Sequence, residues 1–253
     1  MSVSTHAYAG PVDLATYGPY TRGEPIYPFK GRIGTEAFPA EPGRYHLYVA
    51  WVCPYAHRAA IVRKLKGLEE VVSLSYVDDE RDGRGWAFRE RRGHDPINGF
   101  TLLEQAYEAT EKGYGGHISV PVLWDGKNGV IVSNDFPDIT LDLATAFEQW
   151  ADASVDLYPV ALRPEIDELN AWIYQNVNRG VSPGALERLD ERLSGQRFLL
   201  GETITEPDVR LWVTLVRLGP EHDLASHRHL WTYAHTLHEL PAFRDTTEAW
   251  RDR

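Results

Sequence analysis

A strand pattern that runs directly into a helix pattern, with the only cysteine of the chain at the junction, constrains the fold more than any other stretch. Residues 45–51 alternate in β-prone side chains, as a strand does. Pro54 follows Cys53 and suits the first turn of a helix, where its missing N–H would be unpaired in any case. The helical pattern continues until Gly67, which ends it. The stretch therefore predicts a β-strand, a turn at Cys53 and a helix.

The predicted position of Cys53 favours chemistry at sulfur. At the first turn of a helix, free N–H groups and the positive end of the helix dipole stabilise a thiolate, and His57 and Arg58 lie one turn further on. We therefore expect the pKa of Cys53 to be lower than that of an ordinary thiol. The alternative is that Cys53 is a small buried core residue without a chemical role.

The motif contains one thiol and not two, because the residue three positions after Cys53 is Ala56. A lone thiolate can attack a sulfur atom and hold a mixed disulfide, but it has no neighbouring thiol to resolve that disulfide. The pattern therefore predicts a monothiol mechanism in which a small external thiol acts as co-substrate.

Charge and composition argue against several classes of function. The 253 residues include 26 Lys and Arg against 37 Asp and Glu, a net charge of −11, which argues against a nucleic-acid or anionic-membrane partner. A single cysteine allows no internal disulfide and fits a reducing compartment. No secretory signal and no run of about 18 apolar residues is visible, so we expect a cytoplasmic protein that does not contact a membrane.

The predicted elements follow the order β-α-β, a charged segment, β-β-α, and then helices only. Residues 71–77 predict the second strand, and residues 119–132 predict a hairpin with a four-residue turn at 126–129. Proteins with this order have a thioredoxin-like first part. The helices expected in the last part cover residues 141–156, 166–178, 184–193, 208–217 and 229–240.

This order divides the chain into three predicted parts. They are an N-terminal extension packed on the domain (1–44), a thioredoxin-like thiol-binding domain (45–140) and a helical substrate domain (141–253). Within the last part, Thr205 and Asp208 form a capping box, with Pro207 inside the first turn of the helix that follows.

A Val-Pro step stands just before the third predicted strand. The cis form of an X-Pro bond costs only about 0.5–1 kcal/mol, so tertiary structure can fix it. A cis bond between Val120 and Pro121 would turn the N–H and C=O of Val120 outward, where they could pair with the backbone of a peptide-like thiol. A trans proline that starts an edge strand is the alternative, and the spacing does not choose between the two.

Several stretches together match the pattern of a known family. They are residues 44–49, 53–58, 63–69, 85–86, 120–125, 131–134, 168–174, 205–212 and 214–217. In these stretches the chain resembles the glutathione transferases and, within that superfamily, the glutathionyl-hydroquinone reductases, also called the Xi class. The resemblance extends over most of residues 25–217, and it marks the chain as a divergent and shortened relative.

The resemblance implies a fold, a reaction and a set of site residues. The fold is an α/β thioredoxin-like N-terminal domain plus an all-α C-terminal domain, in a homodimer. Cys53 would attack the sulfur of a glutathionyl-hydroquinone, and a second glutathione would release the resulting disulfide. Trp86 would lie against the bound thiol, or alternatively would anchor its loop to the core. The implied thiol-binding residues are Pro54, Tyr55, Trp86, Val120, Pro121, Asn134 and Asp135, and the substrate-pocket candidates are Tyr174 and Arg217.

The chain departs from the family pattern on the substrate side. Where the family has Glu-Ser to bind the γ-glutamyl end of glutathione, this chain has Asp135 and Phe136, and an aromatic ring cannot hydrogen-bond a carboxylate. The family's catalytic tyrosine after Val181 is replaced by Ser182, and its tyrosine-bearing segment after Arg217 is replaced as well. The co-substrate could therefore be a different thiol, such as mycothiol, and the substrate a different quinone-like or specialised metabolite.

Two other interpretations of the function stay open. In the first, the chain is a transferase that conjugates or dehalogenates an electrophilic small molecule, and Cys53 only polarises the thiol of the co-substrate. In the second, the same fold forms a non-catalytic binding module with an ordinary thiol at Cys53.

Two weaker signals concern metals and charge. We expect no metal, because the histidines near the C-terminus, such as His235 and His238, have no cysteine or carboxylate at ligand spacing. A basic island either attracts an anionic thiol or forms a solvated helix face paired with neighbouring acids. Its members are Arg81, Arg84, Arg89, Arg91 and Arg92.

Overall fold

A four-stranded mixed sheet organises the first half of the chain in this computed structural model, which describes residues 7–248. Its strands are β1 (Tyr45–Val49), β2 (Val72–Tyr76), β3 (Val122–Asp125) and β4 (Val130–Ser133). They lie in the order β2-β1-β3-β4, with β1 parallel to β2 and antiparallel to β3. The predicted hairpin is confirmed, because β3 pairs with β4 across the turn at residues 126–129.

Helices surround the sheet and make up the second half of the described chain. They are α1 (Leu14–Tyr17), α2 (Pro54–Leu65), α3 (Glu104–Thr110), α4 (Phe136–Thr145), α5 (Arg163–Ile173), α6 (Ala185–Leu193), α7 (Glu206–Leu215), α8 (Arg228–His238) and α9 (Pro241–Arg244). A π-helical turn, Tyr174–Asn178, continues α5. Because α2 packs against both α4 and α7, the α/β part and the helical part share a continuous core. No helix among the described residues is long and apolar enough to span a bilayer.

The central strand β1 is buried on both faces, so its alternating pattern does not correspond to one buried and one exposed face. Layers on both sides of the sheet exclude water from it. The polar side chains on the second face are satisfied internally: His46 contacts the hydroxyl oxygens of Ser73 at 2.7 Å and Ser75 at 2.8 Å. Tyr48 donates a hydrogen bond to Asp95 at 3.1 Å. The result is a rigid strand whose carboxyl end leads into the Cys53 turn.

The sequence predicts a helix that begins near residues 137–138, and α4 begins at Phe136 with Pro137 in its first turn. The helical spacing expected over residues 141–156 is wrong beyond Thr145, where α4 ends. Beyond α4 the chain turns back to the end of α2, where the Asp152 N–H donates to the Lys66 carbonyl at 2.9 Å. The predicted domain boundary at residues 140 and 141 lies inside α4, and that boundary stays a prediction.

Residues 7–44 lie along the α/β part as a chain with little regular structure. The Gly31 N–H donates to the Val132 carbonyl at 2.8 Å, which covers the edge of β4. This approach needs a glycine, since a Cβ at residue 31 would lie 2.7 Å from that carbonyl oxygen. The ends of the predicted extension and of the predicted helical domain, residues 1–6 and 249–253, lie outside the described residues.

The predicted capping box is confirmed at the start of α7. The buried carboxylate of Asp208 accepts hydrogen bonds from the Thr205 N–H at 2.8 Å, the Leu199 N–H at 2.9 Å and the Tyr233 hydroxyl at 2.9 Å. It therefore joins the loop before α7 and helix α8 to the core helix of the second half.

We predict that Asp208→Ala lowers the free energy of unfolding by roughly 3–5 kcal/mol, because three buried donors lose their acceptor. Urea denaturation followed by circular dichroism measures this change. The control is Glu187→Ala on the exposed face of α6, which should change stability by less than about 0.5 kcal/mol. Equal losses in the two variants would contradict the assigned role of Asp208.

Candidate active site

Cys53 lies at the predicted strand-to-helix junction. It is the N-cap residue of α2, with φ −89° and ψ 113°, and Pro54 occupies the first turn of the helix. The Cys53 thiol donates a hydrogen bond to the Val120 carbonyl, with Sγ and oxygen 3.6 Å apart. The sheet thus holds the thiol opposite the loop that precedes β3, as the sequence predicts.

The expected lowering of the Cys53 pKa is wrong for this structure, because burial raises the pKa of the thiol. The N–H groups of Ala56 and Tyr55 and the charges of Arg217 and Arg58 oppose that rise. A helix N-terminus stabilises a thiolate, but desolvation acts on the same sulfur in the opposite direction. Burial therefore favours the neutral thiol in this arrangement, consistent with its hydrogen bond to Val120.

Arg217, predicted to line a substrate pocket, instead binds the turn before Cys53. Its Nη2 donates to the Trp51 carbonyl at 2.9 Å, and its Nη1 lies 3.0 Å from Nδ1 of His57. Since a guanidinium only donates, Nδ1 accepts and the imidazole proton is on Nε2, which faces the Thr246 hydroxyl at 3.2 Å. Arg217 thereby connects the helical part of the chain to the Cys53 turn.

His57 does not act on the thiol in the way that its sequence position indicates. Both ring nitrogens are engaged away from Cys53, and burial together with the Arg217 charge holds the pKa of His57 well below its usual value. A neutral imidazole adds no positive charge beside the sulfur. The cation that stabilises a thiolate here is Arg217 first, then Arg58.

The bond between Val120 and Pro121 is cis, one of the two alternatives left open by the sequence. Val120 is 7% exposed, and its carbonyl accepts from the Cys53 thiol. Within residues 7–248 its N–H has no hydrogen-bond partner. A peptide-like ligand beside Cys53 can therefore pair with Val120 through both backbone groups. A second cis bond, which the sequence analysis did not anticipate, joins Glu24 and Pro25.

Asn134, predicted to be a thiol-binding residue, has a fully buried side chain whose hydrogen bonds are internal. Its Nδ2 donates to the Ser119 hydroxyl at 3.2 Å and to the Ile26 carbonyl at 3.3 Å, and its Oδ1 accepts from the Phe29 N–H at 3.3 Å. Asn134 therefore fixes the extension and the loop before β3 relative to β4. Its thiol-binding role stays a prediction.

Asp135 precedes α4 as its N-cap residue and forms an ion pair with the extension. Lys30 Nζ lies 3.1 Å from its carboxylate, and the side chain of Asp135 is 16% exposed. The extension thus supplies a cation at the position where the family binds the far end of its thiol. Nothing in the sequence pattern of residues 1–44 pointed to Lys30.

Trp86 is 5% exposed, and the guanidinium of Arg81 lies 4.1 Å from its ring centroid. Burial and this cation-π contact favour the alternative in which Trp86 anchors its loop. Arg81 also lies 4.8 Å from the ring of Tyr20, and its charge interacts with Cys53. Among the described residues Arg81 forms no ion pair, so it is the member of the basic island that faces the site.

The other arginines of the basic island are paired with acids, but not on a helix face. Arg84 binds Asp82 at 2.7 Å, and Arg89 binds Asp78 at 3.0 Å. Arg91 and Arg92 both pair with Asp79. Four of the five arginines of the basic island therefore fit the alternative in which they pair with neighbouring acids. They lie in a loop that these ion pairs stabilise.

An aromatic wall of Tyr27, Tyr55, Phe136 and Tyr174 extends from Cys53 toward the helical part. The Phe136 ring centroid lies 4.4 Å from that of Tyr55 and 6.0 Å from that of Tyr27. Tyr27 and Tyr55 each interact electrostatically with both Cys53 and Tyr174. Tyr55 and Tyr174 are predicted from the sequence, but Tyr27 is not, because its part of the chain has no periodicity to place it.

The described residues hold no group of three or more His, Cys, Asp or Glu side chains that could bind a metal ion. The expectation that the protein uses no metal stays a prediction.

Comparison with known proteins decides the family. The chain matches the family models described as Glutathione S-transferase, N-terminal domain, over residues 52–146, and Glutathione S-transferase, C-terminal domain, over residues 179–253. It is 37% identical to the glutathionyl-hydroquinone reductase YqjG of Escherichia coli, in an alignment that covers 85% of this chain and 75% of that protein. The chain belongs to the glutathione transferases, among the glutathionyl-hydroquinone reductases of the Xi class.

Solved structures of this family agree with the fold. The glutathione-bound structure of YqjG from Escherichia coli superposes with a TM-score of 0.81 at 36% identity, over 87% of this chain and 84% of that one. The Xi-class transferase of Phanerochaete chrysosporium gives a TM-score of 0.80 at 34% identity, over 88% of each chain. The predicted α/β thioredoxin-like domain followed by an all-α domain is confirmed.

We predict that Arg217→Met raises the pKa of Cys53 further, because it removes the cation that most favours the thiolate. In the unmodified protein, the rate of alkylation by iodoacetamide should rise mainly at pH values above the usual pKa of a thiol. At pH 7.5, Arg217→Met should be alkylated about threefold more slowly than the unmodified protein, or slower still. At high pH, where the thiol is fully ionised in both proteins, the two rates should be similar. The control is Arg188→Met, whose guanidinium stacks on Trp172. An unchanged pH profile in Arg217→Met would contradict the proposed electrostatic effect.

Proposed function

We propose that this transferase is a thiol-dependent reductase that removes a glutathionyl or other small thiol group from a hydroquinone-like conjugate. A mixed disulfide at Cys53 is its intermediate. The observation that carries the proposal is the placement of a lone thiol at the N-cap of α2, facing the backbone of Val120 beside a cis proline. This is a site that can hold a peptide-like thiol against sulfur, with no second cysteine to compete.

The reaction proceeds in two steps that balance. In the first, the Cys53 sulfur attacks the sulfur of the conjugate: a sulfur–sulfur bond forms, the bond from sulfur to the ring carbon breaks, and that carbon takes a proton. The hydroquinone leaves, and Cys53 is oxidised to a mixed disulfide. In the second, a free thiol attacks that disulfide, and the products are a small disulfide and the Cys53 thiol.

The raised pKa of Cys53 gives a role to the charges around it. The thiol must lose its proton before it attacks, and the N–H groups of Ala56 and Tyr55 together with the charge of Arg217 support the resulting negative charge. A thiol ligand that pairs with Val120 competes for the carbonyl that now accepts the Cys53 proton. Ligand binding therefore removes a hydrogen bond that stabilises the neutral thiol.

A second candidate function has support from the same observation. A protonated Cys53 that donates a hydrogen bond can polarise the sulfur of a bound thiol without forming a covalent bond to it. The protein would then be a transferase that conjugates or dehalogenates an electrophilic small molecule. The two functions differ in whether a disulfide forms at Cys53.

The identity of the small thiol is a proposal as well. Glutathione is the first candidate, because the related YqjG was solved with glutathione bound. Mycothiol is the second, because Asp135 is paired with Lys30 and Phe136 stands where the family has a hydroxyl. A cytoplasmic location and a homodimer also remain predictions.

We predict that a glutathionyl-hydroquinone or the corresponding mycothiol conjugate adds one thiol residue to the reduced protein, seen as a mass increase of the intact chain. With a single cysteine, the disulfide must be on Cys53. Cys53→Ser should abolish both the adduct and the release of hydroquinone.

The control variant is Ser194→Ala, at the exposed C-terminal end of α6, which should form the adduct normally. Conjugating activity that survives Cys53→Ser, with no adduct in the unmodified protein, would support the transferase instead.

A further inference from the structure

A pocket of about 420 Å³ lies where the N-terminus of α4 meets α5 and α7, which we call the distal pocket. Its volume is within the range of roughly 300–1,000 Å³ typical of small-molecule sites. Its lining combines an apolar floor with four polar side chains. The lining residues are Phe136, Pro137, Asp167, Asn170, Ala171, Tyr174 and Arg210.

The distal pocket adjoins the thiol site through the aromatic wall. Phe136 and Tyr174 line the pocket, and Phe136 stacks on Tyr55, two residues after Cys53. Asp135, at the expected position for the far end of a bound thiol, immediately precedes Phe136. A co-substrate with its sulfur at Cys53 and its backbone on Val120 would therefore direct its remaining atoms toward this pocket.

An unsatisfied acceptor in the lining of the distal pocket favours a ligand that donates hydrogen bonds. Asn170 is 6% exposed, and its Oδ1 is buried without a hydrogen-bond partner in the described chain. The exposed carboxylate of Asp167 accepts from the Tyr158 hydroxyl, at 2.9 Å to each oxygen. A buried acceptor left without a partner costs about 1–3 kcal/mol, which a bound donor recovers.

The charge of the lining selects the kind of donor. Arg210 is engaged through Nε by Glu206 at 2.6 Å, so its charge is largely compensated. A carboxylate, which can only accept, would lie beside the negative charge of Asp167 and would leave Oδ1 of Asn170 without a donor. Hydroxyl groups both donate and accept, and the apolar faces of a ring can pack on Phe136.

We propose that the distal pocket binds the part of the co-substrate thiol remote from its sulfur, and that this part is an uncharged, hydroxyl-rich group such as a sugar or polyol. The inference rests on the proposed function, since it requires a small thiol bound at Cys53. According to this proposal, the residues that line the distal pocket decide which small thiol reacts with the mixed disulfide at Cys53.

The test starts from a mixed disulfide between Cys53 and a coloured reporter thiol, so that it does not depend on any particular conjugate as substrate. Cys53 is converted to its thionitrobenzoate disulfide, and the release of coloured thionitrobenzoate by three thiols is followed. The thiols are mycothiol, N-acetylcysteine (the same thiol end without the sugar and polyol) and glutathione. Each rate is divided by the rate of the same thiol with a thionitrobenzoate disulfide of free cysteine. We expect mycothiol to exceed N-acetylcysteine by about tenfold or more, a difference of about 1.4 kcal/mol.

Two variants of the lining connect the preference to the pocket. Asn170→Leu and the exposed Asp167→Ala should each reduce the ratio of mycothiol to N-acetylcysteine several-fold, and the second is safe for folding because its side chain is at the surface. The matched control is Gln175→Leu, an exposed amide on the π-helical turn that does not line the pocket. It should keep the ratio of the unmodified protein.

Two results would overturn the inference while leaving the proposed function intact. One is an equal corrected rate for mycothiol and N-acetylcysteine. The other is a preference for glutathione that Asn170→Leu removes, since the pocket would then serve a γ-glutamyl group. If no thiol releases the label from Cys53 faster than from free cysteine, the proposed function itself fails, together with the inference.

Discussion

The hydrogen bond from the Cys53 thiol to the Val120 carbonyl depends on nearly every large feature of the fold. It requires β1 to end at a fixed point beside the loop before β3, and the antiparallel pairing of those strands provides this. It requires α2 to begin immediately, which Pro54 supports. The buried side chains of β1 make the register rigid, since a shift by one residue would exchange its two packed faces.

Two opposing electrostatic effects meet at the sulfur. The helix N-terminus and nearby arginines favour the thiolate, while burial in the cleft between the two halves favours the neutral thiol, and burial prevails here. Arg217 belongs to the helical half, yet it binds the carbonyl of Trp51 in the turn before Cys53. The second half of the chain therefore adjusts the chemistry of a thiol that the first half positions.

Local features were predictable from the sequence, and properties that depend on packing were not. The Cys53 junction, the hairpin and the capping box at Thr205 each depend on residues close in the chain. The inward orientation of Asn134 and the direction of the Cys53 pKa depend on how segments far apart in sequence exclude water together. Tyr27 was missed for the same reason, because irregular segments have no spacing rule that places a side chain.

The two ends of the thiol site differ in how they are built. At the sulfur end, the groups beside Cys53 are the backbone of Val120 and the N-cap of α2, and backbone groups are the same whichever side chains surround them. At the far end, side chains from α4 and α5 form the surface, so single substitutions such as the phenylalanine at 136 change its chemistry. If the distal pocket binds the far end of the thiol as proposed, substitutions there change the choice of thiol while the groups around Cys53 stay the same.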